Sequence, residues 1–417
     1  MKFFARLVLG VLWFWGAALS RAQEGIPGGQ DPPGDARVTG AARAPRESPY
    51  LLGDWGGIRS SLARRGIQLE PVWTGEVFWN LRGGLETKHA RVQRWDWSIY
   101  GRLDTGRAGL WDGGEAFLHL QKEAGRTLTP RFTGDYQALS NMEAPDFQQV
   151  SELWIRQSFL GEDLQVKAGK MEDSADFGYS RFAQEFLNSS AAVMPHVPMD
   201  TFPNQDLGAA LFCRFHPRLS LRFGVFQSRP KGGRSPAAAF RELQGPLFLG
   251  ESAYSYGEPG KEGGFHLGGW WRKDRTPPLA RAGGKEEDLD HSYGVYAFWE
   301  QDLVKKGDRA GGVGCFLQFT WAPENLDEVA RYLGGGLQWT GPLPGRGADV
   351  AGIGCFQVRF SAKTGFERHS ETALEVFYRF QARPWAWVKP DLQYILSPGG
   401  RSRPGALALG IRVGVQF

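Results

Sequence analysis

The stretch LALGIRVGVQF, residues 407–417, decides the fold. Leu407, Leu409, Ile411, Val413, Val415 and Phe417 are apolar, while Ala408, Gly410, Arg412, Gly414 and Gln416 between them are small or polar. A period of two places these sets on opposite faces of a β-strand. One apolar and one wet face suit the wall of a barrel that has lipid outside and water inside. A strand of a soluble sandwich alternates in the same way, so this segment alone leaves both open.

A Phe at the end of such a strand resembles the closing strand of a bacterial outer-membrane protein. The other end of the chain points to the same compartment. Lys2 and Arg6 precede an apolar run from Leu7 to Leu19, and Ser20 and Ala22 offer a small-x-small cleavage site. The run is too short to span a bilayer and no stop-transfer pattern follows, so 1–22 reads as a secretory signal peptide. The expected destination is the bacterial outer membrane, with both termini periplasmic.

The 417 residues carry a net charge of +4, and removal of Lys2, Arg6 and Arg21 leaves +1. That near-neutrality gives no case for a nucleic-acid partner. The 57 glycines and 13% aromatic residues suit short turns and interfacial aromatic girdles. The mean hydropathy of −0.37 resembles that of a soluble chain, but a barrel averages an apolar outside against a polar inside. Cys213, Cys315 and Cys355 have no motif spacing and are odd in number, which argues against a disulfide framework. The His residues show no ligand spacing, and neither metal nor cofactor is expected.

Residues 23–50 are rich in Gly, Pro and Arg and read as a flexible leader. Within 51–67, the amphipathic piece Ile58 to Arg65 predicts one small helix. Residues 51–417 as a whole read as the barrel. Apolar registers run through Leu69/Trp73/Val77/Trp79, Trp97/Ile99/Leu103, Ala116/Leu118/Leu120, Leu153/Ile155/Phe159 and Leu164/Val166/Ala168. They continue through Leu207 to Phe215, Leu219 to Val225, Tyr293 to Trp299, Val313 to Trp321, Leu374 to Phe380 and Val388 to Tyr394. About fifteen strands can be counted, and the weakest candidate, Leu247 to Tyr256, brings the total to about sixteen, an even number. Short gaps at 161–163, 216–218 and 382–384 alternate with long ones at 123–150, 172–206, 228–245 and 273–290. Sixteen strands enclose an aqueous channel, whereas eight would be filled by side chains.

Four segments in order resemble the carbohydrate-selective porins of the OprB type. Leu52-Gly53-Asp54-Trp55-Gly56-Gly57-Ile58-Arg59, closing with Arg65-Gly66-Ile67, is similar to that family's opening motif. Leu103-Asp104 with Gly109-Leu110-Trp111-Asp112-Gly113-Gly114 resembles its first hairpin. Ala168-Gly169-Lys170, Asp176-Phe177-Gly178 and Phe186-Leu187-Asn188-Ser189 resemble its third outer region. Val388-Lys389-Pro390-Asp391-Leu392-Gln393-Tyr394-Ile395 with Ser397-Pro398-Gly399-Gly400 is similar to its most specific stretch. The leader has no counterpart in this resemblance. It implies passive, substrate-preferring diffusion of neutral carbohydrates, monosaccharides such as glucose, into the periplasm. A general or anion-leaning small-solute porin on the same barrel is the alternative.

A porin needs no catalytic group; it needs a wetted path that exchanges a solute's water hydrogen bonds for protein ones. Charged groups serve sugar hydroxyls, and aromatic faces serve the C–H faces of the ring. Alternation nominates a lumen wall of Glu70, Ser98, Tyr100, Glu115, His119, Glu152, Glu371, Glu375, Arg379, Lys389, Asp391, Gln393 and Arg412. Glu76, Arg102, Asp104, Trp154 and Arg156, beside the long loops, are expected at the constriction or in contact with sugar. Asp173, Asp176 and Arg181 join them if the loop folds inward. Both signs of charge at the narrowest point would admit neutral polyols and slow ions. An outer-membrane hydrolase would need a nucleophile beside a His, and no motif places one near His119. The remaining expected partners are outer-membrane lipid and lipopolysaccharide, and the barrel-assembly machinery through Phe417. The chain would be a monomer or a homotrimer.

Overall fold

The 407–417 alternation forms β16 (Ala406–Gln416), which pairs antiparallel with β15 (Ala386–Leu396) on one side and β1 (Ile67–Arg82) on the other. That second pairing closes a barrel of sixteen antiparallel strands. The computed structural model describes residues 48–199, 201–228, 234–241, 245–273, 291–305 and 311–417. The expected signal peptide, residues 23–47 of the leader and most of the predicted 273–290 loop lie outside them.

The remaining strands are β2 (Arg91–Asp104), β3 (Gly114–Gly125), β4 (Phe147–Phe159), β5 (Leu164–Met171), β6 (Asp206–His216), β7 (Leu219–Gln227) and β8 (Pro246–Tyr256). They continue as β9 (Gly263–Lys273), β10 (His291–Lys305), β11 (Gly312–Trp321), β12 (Val329–Thr340), β13 (Val350–Phe360) and β14 (Ser370–Arg383). Each pairs with its chain neighbours, so every connection is a hairpin. The connections at one end are short; those at the other end are mostly long. Residues 48–66 and Phe417 share the short-turn end, called here the terminal end; the opposite one is the loop end.

The alternation is physical. Trp97, Ile99, Leu153, Ile155, Leu317 and Leu333 point outward and stay exposed in the isolated chain, whereas the inward Ser98, Gln121, Gln318 and Thr320 are buried. All three cysteines are free and lie on the outward register.

The weak candidate 247–256 is a full strand. In β9 and β12 the glycine runs Gly268-Gly269 and Gly334-Gly335-Gly336 erase the contrast between faces. β13 is inverted toward its loop end. There Phe356, Val358 and Phe360 are buried inside while Gln357 and Arg359 are exposed outside. An inward apolar face requires something apolar in the lumen, and a loop supplies it.

A short helix, α1 (Ile58–Arg64), lies beside the barrel seam. Arg59 donates to the carbonyls of Leu69, at 2.9 Å, and Phe417. Its guanidinium lies over Tyr50 and Trp55, 3.5 and 4.2 Å from the ring centroids. Leu51 N–H donates to the Gln416 carbonyl at 2.8 Å. No helix of the described residues is long and apolar enough to cross a membrane; the crossing elements are strands.

Candidate functional site: two loops inside the barrel

Loops 126–146 and 172–205 leave the same side of the barrel and fold into it. The first is pinned by charged wall residues. Arg94 donates to Glu123 at 2.7 Å and to the carbonyls of Met142, at 2.9 Å, and Ala144. Ser140 donates to Glu76 at 2.7 Å, and Arg412 reaches both Ser140 and the Asn141 side chain at 2.9 and 2.8 Å. Gln393 donates to the Leu139 carbonyl, and Glu371 accepts from the Tyr136 and Gln137 amides.

The second loop crosses the lumen from β5 to the far wall. Near its start Phe177 packs edge-on to Phe226, and the Gly178 amide donates to Glu251 at 2.7 Å. Arg181 pairs with Glu300 and Asp302 of β10 at 3.1 and 3.0 Å. Glu185 takes Arg379 at 2.6 Å and Lys389 at 2.7 Å. Lys389 and Arg379 outweigh the effect of burial, which acts to raise the Glu185 pKa, and hold its carboxyl below the usual range.

Phe186 is the apolar anchor. Its ring meets Phe316, Phe356 and Phe377 edge-on at 5.0–5.6 Å. It fits because Gly354 lacks a side chain: a Cβ there would lie 2.7 Å from the ring. This pocket accounts for the inward Phe356 of β13, while Phe360 packs against Tyr136 and Phe366 at 5.2 and 4.0 Å. Beyond it, Glu375 accepts from the Leu187 and Asn188 amides at 2.6 and 3.0 Å. The two loops also bond each other, Asn141 N–H to the Leu187 carbonyl at 2.7 Å and Ser189 N–H to that of Ala138 at 3.1 Å.

The predicted residues therefore divide. Glu76, Glu375, Gln393 and Arg412 are buried and hold loops, and Asp391 accepts from Gln393 at 2.9 Å. Asp173 is fully buried at the loop start. Asp104 caps a turn at the terminal end, accepting from Arg107 N–H at 3.0 Å. Glu70 sits on the inward register of β1 opposite Tyr100. Trp154 is 8% exposed, stacked on Phe117 at 4.9 Å with the Lys167 ammonium 4.3 Å from its ring.

The wetter groups lie toward the terminal end. Arg102 and Arg156 converge on Glu115, the former at 3.3 Å, and their side chains are 43% and 39% exposed. Lys167 pairs with Asp176 at 2.6 Å, and Arg222 with Glu251 at 3.1 Å. Each of these cations has a carboxylate partner.

A sequence model described as carbohydrate-selective porin, OprB family, matches residues 95–417. The chain belongs to the OprB family. It is similar to Porin B of Pseudomonas aeruginosa, 22% identical over 89% of this chain and 92% of that protein. It is also similar to the putative porin QuiX of Acinetobacter baylyi, 22% identical over 85% and 90%. Its fold matches the high-pH structure of Pseudomonas putida OprB with a TM-score of 0.81, 21% identity, and coverage of 89% of this chain and 99% of that one. The chain is thus an outer-membrane porin for carbohydrates.

An OprB-family porin is not an enzyme, and one constellation here shows how a lookalike arises. Ser98 Oγ lies 2.9 Å from His119 Nε2, and His119 Nδ1 lies 3.8 Å from Glu152. Sequence spacing gave no hint of Ser98 beside His119. Ser98 also donates to Asp96 at 2.7 Å and is 1% exposed, and Tyr100 stacks on the imidazole at 4.4 Å. No carbonyl substrate reaches that hydroxyl, so the cluster is wall structure.

The sequence reading missed Lys167, Glu185, Arg222, Glu251, Glu300 and Asp302. Lys167 stood on the inward register between Val166 and Ala168 and could have been found. Glu185 and Phe186 lie in a loop without periodicity, and nothing local marks them.

Proposed function

We propose that this porin conducts neutral monosaccharides such as glucose by passive, substrate-preferring diffusion into the periplasm. Both termini would face the periplasm and the loops the exterior. The observation that carries the reading is the paired charge along the path. Arg102 and Arg156, the wetter cations, share Glu115, and the part-exposed Arg181 holds Glu300 and Asp302. Paired groups offer many donors and acceptors to sugar hydroxyls while presenting little net field to an ion.

One observation favours an anion-leaning channel instead: at the Arg102–Glu115–Arg156 cluster two cations share one carboxylate. Liposome swelling separates the readings. A hexose entering well ahead of a zwitterionic amino acid of similar size supports sugar preference. Entry ranked only by size supports a general porin.

A further inference from the structure

Arg331 of β12 and Arg359 of β13 are direct cross-strand partners at the loop end. Both are exposed and outward-facing, since the neighbouring Tyr332 and Val358 point inward and are fully buried. Like charges directly opposed on one face of a sheet destabilise it. Among the described residues no carboxylate lies within ion-pair distance of either guanidinium. Trp321, a large outward aromatic, flanks Arg331 on β11, as expected where a barrel wall meets headgroups.

Four residues farther along each strand toward the terminal end, Gly335 pairs with Cys355. That is about 13 Å at ~3.3 Å per residue. There the outer wall is dented by an apolar groove of about 570 Å³, lined among others by Cys315, Leu317, Gly335, Leu337, Ile353 and Cys355. The dent exists because Gly335 has no side chain and Cys355 a small one. An uncompensated cation pair at headgroup level thus stands above an apolar groove on the same two strands.

We propose that Arg331 and Arg359 together bind the phosphate of a phosphorylated lipid of the outer leaflet, with an acyl chain lying in the Gly335–Cys355 groove. Two planar guanidiniums present parallel donors to phosphate oxygens, and the bound phosphate removes the repulsion between them. The proposal rests on the outward orientation of the loops.

The test uses the full barrel in neutral detergent. The probe is a bisphosphorylated, acylated disaccharide lipid, compared with its dephosphorylated form and with inorganic phosphate, followed by native mass spectrometry and thermal melting. The wild type should retain and be stabilised by the phosphorylated lipid alone. R331Q and R359Q should each bind it roughly tenfold more weakly, while melting no lower than wild type without lipid, because a like-charge contact has gone. R368Q, at another loop-end arginine, should bind as wild type does. C355F should weaken the acylated lipid by filling the groove. Unchanged binding by the double variant R331Q/R359Q would overturn the proposal. So would equal binding of the dephosphorylated lipid, or equal stabilisation by inorganic phosphate. Orientation is read separately, by labelling a cysteine placed at 83–90 from outside intact cells. Failure there with lipid binding intact would overturn the outer-leaflet assignment and the outward loops, and leave only a phosphate-binding arginine pair.

Discussion

Glu375, inside the barrel wall, accepts the Leu187 backbone amide at 2.6 Å. The wall thereby grips a loop that originates on the opposite side of the barrel. Glu375→Ala removes the acceptor from both the Leu187 and Asn188 amides, at about 0.5–1.5 kcal/mol per hydrogen bond. The barrel should still assemble, because its ladder is untouched, while single-channel conductance rises and hexose preference falls. Unchanged conductance would mean that the loop is seated without this contact.

Phe186→Ala should act on the same loop through packing. Truncating a buried Phe costs about 3–5 kcal/mol, borne here by loop seating. Gly354→Val should mimic it from the wall side, because the new Cβ meets the Phe186 ring at 2.7 Å. Proteolysis within 172–205 should accelerate in both variants while heat-modifiable gel migration stays barrel-like.

Charge selectivity should turn on Glu115. Glu115→Gln leaves Arg102 and Arg156 without their shared carboxylate, so the reversal potential in a salt gradient should shift toward anions. Arg102→Ala with Arg156→Ala should shift it the other way. If neither moves it, this cluster lies off the ion path.

Loop 126–146 should be held more firmly at acid pH. Burial, assisted by the charge of Asp135, raises Glu143 from 4.5 to about 7. The folded loop thus binds that proton more tightly than the released one. The stabilisation is complete below about pH 4.5 and is lost as pH rises through about 7. Amide-exchange protection across 126–146 should fall over that interval, and Glu143→Gln should flatten the dependence.

Glu185 should give the opposite sign. Its carboxyl is held down by Lys389 and Arg379 against the effect of burial. Its contribution is present above the ordinary carboxylate range and lost on acidification. Exchange protection across 172–205 should weaken below about pH 4, and Glu185→Gln should show that weakness at neutral pH.

The barrel was legible because alternation is local: Leu407 to Phe417 carry their two faces in eleven consecutive residues. The lumen face was legible for the same reason, which is why Glu76, Glu375 and Arg412 were singled out. Their occupation was not. Whether an inward carboxylate meets solvent or a loop depends on chain more than a hundred residues away, as with Glu375 and Leu187. Trp154 shows the same limit: its inward direction follows from alternation, but its contact with Phe117 and Lys167 follows from neighbouring strands. β13 still alternates, but its apolar face turns inward because Phe186 meets Phe356, and Tyr136 and Phe366 meet Phe360, where water would otherwise stand.

The wide separation between the loops' origin and their anchors has a consequence in time. Residues 126–146 and 172–205 emerge early in the chain, but Glu371, Glu375, Lys389, Gln393 and Arg412 belong to its last strands. Arg94 and Glu76 for the first loop, and Glu251 and Glu300 for the second, supply an earlier hold, but the far half of each seat is missing until those strands join the wall. A barrel stalled before that step holds its loops at one side only, so the finished constriction is the last property the nascent molecule acquires.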